Sequence, residues 1–370
     1  MARDPAKLKV AIVHDWLVGG GAERVVQELH QMFPDAPIYT SYATKEWQER
    51  LDGKVVTGFL QHGPFPRLRK YVGLLRIWWF THLDFTGYDL VISSSGNGEA
   101  KSIRVPKGVT HVCYCHAPTH YYWRHYKQYL AHPGFGVFDP LARLGLRLLV
   151  GPLRRWDLKA SKRPDVMLAN STHTQAEIKE FYGRDSIVVY PPIDLDRFAV
   201  KRPIAKRKGY ITVGRQTPYK KTDIIVAACT KLGVPLTVIG GGPENDKLRR
   251  IAGPTITFPD HYVPDSEVPK HMQDAKAFLF AAYEDFGVTP VEALAAGTPV
   301  IAYKAGGALD YVVEGKTGHF YTEQTVEALC AAMQESDKLH FDHRAIAVHA
   351  QSFSPSAFQG KLTQIIKEIV

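Results

Sequence analysis

Along the chain, short apolar runs that end in polar or small residues alternate with segments whose apolar positions recur at helical spacing. The first run, residues 8–14, passes through Asp15-Trp16 and Gly19-Gly20-Gly21 into a helical pattern over 22–33, which reads as strand, glycine loop, helix. Further apolar runs at 88–93, 110–114 and 165–170 are short and end in polar or small residues, as expected of buried parallel strands. After residues 187–190 the double proline Pro191-Pro192 and the basic, polar stretch 201–208 interrupt the rhythm. A second series follows, with strands expected at 210–213, 236–239, 277–281 and 300–302. Phe358, Leu362, Ile365, Ile366 and Ile369 then space out a final helix over 354–370. The pattern predicts an α/β chain of two doubly wound domains, 1–190 and 191–353, with the closing helix packing back on the first.

Composition agrees with a folded globular chain and excludes disorder: 370 residues, 45% hydrophobic and 22% charged. Lys and Arg exceed Asp and Glu by 46 − 37 = 9, so the surface attracts anions without saying which. Cys113, Cys115, Cys229 and Cys330 fit neither a zinc ribbon nor a disulfide scaffold and are read as reduced. With no run long enough to span a bilayer and no signal-peptide pattern at the N-terminus, a cytoplasmic protein is expected.

The densest chemistry lies in Glu284-Asp285-Phe286-Gly287-Val288-Thr289-Pro290-Val291-Glu292, two glutamates eight positions apart around a glycine and the start of a helix. A strand ending near Ala282 and a helix beginning near Pro290 aim backbone N–H groups and a positive helix end at a diphosphate. Glu284, on the loop, and Glu292, about two turns into the helix, are each able to accept hydrogen bonds from a pair of vicinal hydroxyls. In Val213-Gly214-Arg215-Gln216-Thr217-Pro218-Tyr219-Lys220-Lys221 a strand end delivers cations suited to a phosphate: a forked guanidinium and a mobile ammonium. In isolation these segments read as solvated glutamates and a basic loop; the glycine triplets at 19–21 and 240–242 read as tight turns.

Together with the following Ala293-Leu294-Ala295-Ala296-Gly297-Thr298-Pro299-Val300-Ile301-Ala302, the glutamate segment resembles the donor-binding signature of glycosyltransferase family 4, the group 1 glycosyltransferases, which are retaining enzymes of GT-B fold. The resemblance implies two Rossmann-like domains facing across a cleft. It also implies a nucleotide-sugar donor, with Glu284, Arg215, Lys220 and His116 as catalytic residues and Arg215 and Lys220 stabilising the leaving diphosphate. Gly19, Gly20 and Gly21 take the place of the family's N-terminal glycine loop. Asp285, Phe286, Gly287, Val288, Thr289 and Glu292 line the donor, and the nucleobase falls near His261-Tyr262-Val263. His116, in His116-Ala117-Pro118 after an expected strand, matches the family's donor-sugar histidine. The aromatic stretch 119–123 resembles that of mannosyltransferases using GDP-mannose, the group this chain most resembles. His14 and Asp15, closing the first strand, are acceptor-side candidates.

No Asp-x-Asp motif of the kind that holds a metal in nucleotide-sugar enzymes is read in the sequence, the close acid pairs being scattered, so no obligatory metal or cofactor is expected. The expected reaction moves mannose from GDP-mannose to a hydroxyl of a glycan or polyprenyl-diphosphate-linked acceptor, with an alpha linkage. Segments 62–85 and 141–162 mix Arg67, Arg69, Lys70, Arg76, Arg143, Arg147, Arg154 and Arg155 with aromatic and aliphatic residues, which suits either a core with snorkelling cations or contact with the anionic inner face of a membrane. Two alternatives stand beside this reading: a UDP-sugar-dependent glucosyl- or N-acetylglucosaminyltransferase, and an anion- or nucleic-acid-binding protein without transferase activity. The second explains the charge but not the glutamate pair, and no nucleic-acid partner is expected. An epimerase lacks this glutamate pair, and a phosphorylase-type enzyme needs a pyridoxal-binding lysine that no motif marks.

Overall fold

The structure is a computed structural model describing residues 7–69, 71–131, 133–134, 136–200, 206–259 and 263–370. Two compact units emerge: one of residues 1–191 with 358–370, the other of residues 192–357.

The first unit holds β1 (Val10–His14), β2 (Ile38–Thr40), β3 (Val55–Val56), β4 (Leu90–Ser95), β5 (Thr110–Cys115), β6 (Val166–Ala169) and β7 (Ile187–Val188). They form one parallel sheet in the order β3-β2-β1-β4-β5-β6-β7. Alternate residues of β1 explain why the strand reads as continuously apolar. Val10 and Ile12 join the core that includes Val25, Val26 and Leu29 of the helix Gly21–Met32, whereas Ala11 and Val13 join Trp79, Phe80 and Phe85 on the opposite face. The C-terminal helix Pro355–Ile369 belongs to this unit from Phe358 onward, burying Phe358, Leu362, Ile365 and Ile366 in the Val10 core. Phe358 packs edge-on against Tyr114, ring centroids 5.9 Å apart.

A buried knot of polar groups lies behind β5. Lys101 Nζ is 2.6 Å from Asp157 Oδ1, and neither side chain is more than 1% exposed. The carboxylate also accepts from Thr119 Oγ1 at 3.0 Å, Trp123 Nε1 at 2.7 Å and Tyr182 OH at 2.8 Å. Burial alone would discharge Lys101, but the Asp157 charge outweighs it and holds the ammonium's pKa well above its ordinary value.

The second unit holds β8 (Tyr210–Val213), β9 (Leu236–Ile239), β10 (Ile256–Thr257), β11 (Ala277–Phe280), β12 (Val300–Tyr303) and β13 (Gly318–Tyr321), all parallel, in the order β10-β9-β8-β11-β12-β13. Each sheet therefore reverses its winding once, between β1 and β4 in the first and between β8 and β11 in the second. In doubly wound sheets the crevice beyond the carboxyl ends of the strands at such a reversal is where ligands bind.

Candidate functional site

In the second unit, both strands at the reversal deliver residues singled out by sequence. Beyond β8 the chain turns at Gly214 (φ 152°) and exposes Arg215, which has no ion-pair partner among the described residues. A single 3-10 turn, Pro218–Lys220, then presents Lys220. Beyond β11 the chain reaches Glu284, whose Oε1 pairs with Lys220 Nζ; the two side chains are 18% and 22% exposed. The loop after β8 is pinned by buried Gln216, which donates to the Gly240 carbonyl at 2.8 Å and accepts from Asn245 Nδ2 at 2.7 Å. Gly240 and Gly242 make that approach possible: a Cβ on either would lie 2.1 or 2.3 Å from the carbonyl oxygen of Gly214 or Gln216. The second glycine triplet is thus a packing surface for the loop that carries Arg215.

Gly287 (φ 91°) opens the helix Val288–Ala295 without any side-chain cap, so the first-turn N–H groups of Val288 and Thr289 meet no capping side chain. The helix begins two residues earlier than the sequence suggests. Pro290 therefore occupies its third position rather than its first, where the missing N–H still costs no intrahelical bond. Glu292, correspondingly, is a little over one turn in, and buried. Phe286 is buried against Tyr311 and Phe353, with ring centroids 5.7 and 5.8 Å away, while Asp285, Val288 and Thr289 are half-buried. Val263 is buried, and His261 and Tyr262 lie outside the described residues.

Sequence reading missed the support beneath this loop. Gly306 and Gly307, after β12, press directly on it: Gly307 N–H donates to the Glu284 carbonyl at 2.9 Å, and a Cβ on Gly307 would fall 2.3 Å from Phe286 Cα. The adjacent glycines were a visible signal of close backbone approach. Contrary to the sequence reading, the chain does contain one Asp-x-Asp triplet, Asp194-Leu195-Asp196; both aspartates are exposed around buried Leu195.

In the first unit, the glycine loop is tied down by its own helix. Glu23 Oε1 accepts the N–H groups of Gly19 at 2.9 Å and Val18 at 3.3 Å, which leaves fewer loop donors for a ligand than an open loop of that sequence suggests. Gly19 has φ 111°; Gly20 caps the helix that Gly21 begins. Asp15 is likewise structural rather than presented to an acceptor. It is buried, accepting N–H bonds from Gly96 and Asn97 at 2.8 Å each and from Ala100 at 2.7 Å. His14 and His116 do come together: Ser94, on the strand between theirs, hydrogen-bonds to both. Beneath the loop after β4, Glu99 pairs with Arg76 at 2.7 Å, and burial pushes its carboxyl up to about 7, the Arg76 charge opposing and Asp15 adding to the shift.

The basic aromatic segments divide. Arg76 turns inward to Glu99 and stacks on Trp16 at 4.7 Å, and Trp79 and Phe80 join the core. Arg154 is taken up by the Tyr122 carbonyl at 2.6 Å and by the rings of Trp123 and Tyr126. Lys70 lies outside the described residues. Leu74, Trp78, Leu141, Leu144 and Leu148 instead face solvent. No helix among the described residues is long and apolar enough to cross a membrane.

Comparison with known proteins follows the same two-unit division. Residues 19–197 match the family described as Glycosyltransferase Family 4, and residues 194–338 match Glycosyl transferases group 1. A GDP-mannose-dependent alpha-(1-6)-phosphatidylinositol monomannoside mannosyltransferase of Mycolicibacterium smegmatis is 28% identical over 264 residues, 58% of this chain and 68% of that protein. A D-inositol 3-phosphate glycosyltransferase of Nocardia farcinica is 32% identical over 224 residues, 51% of this chain and 49% of that one. The chain thus spans between half and about two thirds of these relatives. Among solved structures, HepE of Anabaena in complex with UDP and glucose (TM-score 0.67) and the lipopolysaccharide outer core galactosyltransferase WaaB (TM-score 0.70) are each 18% identical, with 98% of this chain and 100% of theirs covered. That likeness shows the fold to be GT-B.

Proposed function

This chain belongs to glycosyltransferase family 4, and on that premise we propose that it transfers mannose from GDP-mannose, with retention, to a hydroxyl of a glycan or lipid-linked acceptor. An alpha linkage results, and synthesis of cell-surface polysaccharide or glycolipid is the setting that suits it. The observation that carries the reading is the meeting of Lys220 with Glu284 at the winding reversal of the second sheet, beside the uncapped start of the helix Val288–Ala295. A diphosphate there receives backbone N–H donors, the Arg215 fork and the Lys220 ammonium. Glu284 accepts from the sugar hydroxyls and Glu292 from the ribose. His116 of the first unit reads the donor sugar. As the C1–O bond to the diphosphate breaks, charge builds on the leaving oxygen, where the two cations stabilise it. The acceptor oxygen bonds to C1 on the face just vacated, and its proton passes to the departing phosphate oxygen. The charge stabilisation assigned to Arg215, Lys220 and the helix start needs no obligatory metal.

Mannose is supported by the His116-Ala117-Pro118 segment and by the mannosyltransferase among the relatives. Titrating GDP-mannose, UDP-glucose and UDP-N-acetylglucosamine against thermal stability tests it, since a ligand at a hundredfold its Kd adds about 2.7 kcal/mol. A larger rise with a UDP-sugar moves the reading to a glucosyl- or N-acetylglucosaminyltransferase. No rise with any of them, alongside salt-sensitive nucleic-acid binding, ends the transferase reading.

The acceptor side is proposed to rest on the cytoplasmic face of an anionic membrane. On the helix Asp139–Ser161, Leu141, Leu144 and Leu148 recur at a spacing that puts them on one face, all exposed, with Arg147 exposed at its flank and Val137 and Phe138 exposed just before. Apolar side chains beside cations suit the headgroup boundary of such a bilayer.

A further inference from the structure

Tyr311 closes the short helix Ala308–Tyr311 that follows Gly306 and Gly307, and its side chain is fully buried. The ring packs against Phe286 and Phe353, a setting that a phenylalanine would fill equally well. It carries a hydroxyl all the same, and that hydroxyl has no hydrogen-bond partner among the described residues. A buried donor left unpaired costs stability, so such groups are rare in folded proteins and each calls for a reason.

Its position supplies one. The hydroxyl lies against the loop 284–287: a Cβ on Gly287, which opens the helix Val288–Ala295, would come 2.9 Å from the Tyr311 oxygen. Burial, and after it the charges of Glu284 and Asp310, hold the Tyr311 pKa well above its ordinary value, so the oxygen keeps its proton and is able to donate. Lys220, for its part, has two duties that conflict. Its ammonium pairs with Glu284, whereas the reaction proposed above needs it on the leaving diphosphate. Once the ammonium turns to phosphate, the Glu284 carboxylate gives up the one ion-pair partner it has among the described residues. At 18% exposure that carboxylate is too enclosed to rely on solvent and needs a second donor.

We propose that Tyr311 is a positioning residue for Glu284: when Lys220 moves to the diphosphate of a bound sugar nucleotide, the Tyr311 hydroxyl donates to the Glu284 carboxylate in its place and keeps it on the sugar hydroxyls. The exchange of partners rests on the donor reading above; the unpaired hydroxyl does not. Being neutral and buried, the hydroxyl holds the carboxylate without competing for the phosphate.

Tyr311→Phe tests this, because it removes one oxygen and keeps the ring. Without ligand the variant should melt at the parent's temperature or above it, since an unpaired buried hydroxyl is lost. GDP-mannose should then raise its melting temperature less than the parent's, and kcat should fall roughly 10- to 100-fold, as when a binding group slips by about 1 Å. In a Glu284→Ala background the same change should cost nothing further, because Tyr311 acts through that carboxylate. A lower melting temperature in the ligand-free variant would mean that the hydroxyl already has a partner. That result, unchanged kcat, or fully additive losses would each overturn the proposal. If the parent turns over a UDP-sugar and not GDP-mannose, the donor assignment moves and the same comparison made with that sugar nucleotide decides the role of Tyr311. A parent inactive with all of them would take the proposal down with the reading it rests on, an outcome told apart from a failure of Tyr311 itself because there the parent is active.

Discussion

The ammonium of Lys220 pairs with the carboxylate of Glu284, joining the loops that follow β8 and β11, and each group remains about one-fifth exposed. A pair so accessible contributes about 1 kcal/mol or less to stability. Its importance lies in orientation, since each member holds the other where the donor is proposed to bind.

Replacing Glu284 with alanine should therefore separate activity from folding. Turnover of GDP-mannose, followed by release of nucleoside diphosphate, is expected to fall about 10²- to 10³-fold, the usual cost of deleting one electrostatic contact to the reacting group. The melting temperature should move by only a few degrees. Glu284→Gln keeps a hydroxyl-accepting oxygen but not the charge opposite Lys220, so it should retain more donor affinity than turnover. Normal turnover in Glu284→Ala would sink the assignment of this loop.

Gly307→Ala tests the support under the same loop. Its Cβ would arrive 2.3 Å from Phe286 Cα and equally close to the Phe286 carbonyl oxygen, with no flexible side chain to yield. The backbone of 284–287 must shift, at an expected cost of about 1–3 kcal/mol. Turnover should drop at least tenfold, because misplacing a binding group by about 1 Å is expensive. A variant as active and as stable as the parent in a paired melt and assay would show that the glycines merely fill space.

How much of this was readable beforehand differs between strands and site. The central strands β8 and β9 fall where the apolar runs put them, because strands buried on both faces leave uninterrupted apolar signatures. Short edge strands such as β3 and β10, two residues each, carry no such run, and β13 begins at a glycine within a polar context. Glu284 and Lys220 were legible as chemistry, but their pairing was not, since sixty-four positions separate them along the chain. Ser94 escaped notice because a serine in a strand is ordinary until its neighbours across the ladder are known. Arg76 misled for the opposite reason: its place among aromatics suggested an outward cation, whereas Glu99, twenty-three positions on, draws it inward.

The buried pair Lys101–Asp157 should behave asymmetrically. Asp157→Ala strands an ammonium in a site less than 1% exposed and removes the acceptor of Thr119, Trp123 and Tyr182, so unfolding free energy is expected to fall by about 3–5 kcal/mol. The double replacement Lys101→Met, Asp157→Leu should be less damaging than the single one. Denaturant melts of the three proteins decide it, and equal losses would mean the network's hydroxyl and indole bonds matter more than the charges.

Membrane contact turns on Leu144 and Leu148, 54% and 67% exposed. Replacing both with glutamate should leave stability within about 0.5 kcal/mol, as for other surface changes. Sedimentation with vesicles containing anionic phospholipid should drop severalfold, while binding of GDP-mannose stays unchanged. Undiminished sedimentation would move the docking surface elsewhere.

Glu99 gives the fold a pH dependence with a definite sign. Burial raises its carboxyl from the ordinary 4.5 to about 7, against the pull of Arg76 and with help from Asp15; Tyr121 also faces it. A carboxyl whose pKa is higher in the folded state binds its proton more tightly there, so between pH 4.5 and 7 the native protein holds more protons than the unfolded chain. The stability Glu99 contributes is fully present below pH 4.5, is lost progressively as pH rises toward 7, and changes no further above that. The loss is on the order of 2 kcal/mol or more across the window. Glu99→Gln carries no titrating proton and still fills the space beside Arg76, so its unfolding free energy should decline less between pH 5 and 7 than that of the parent. Parallel pH profiles for the two proteins, measured by urea melts at fixed ionic strength, would mean that Arg76 keeps Glu99 ionised throughout and that the pair is an ordinary buried ion bridge.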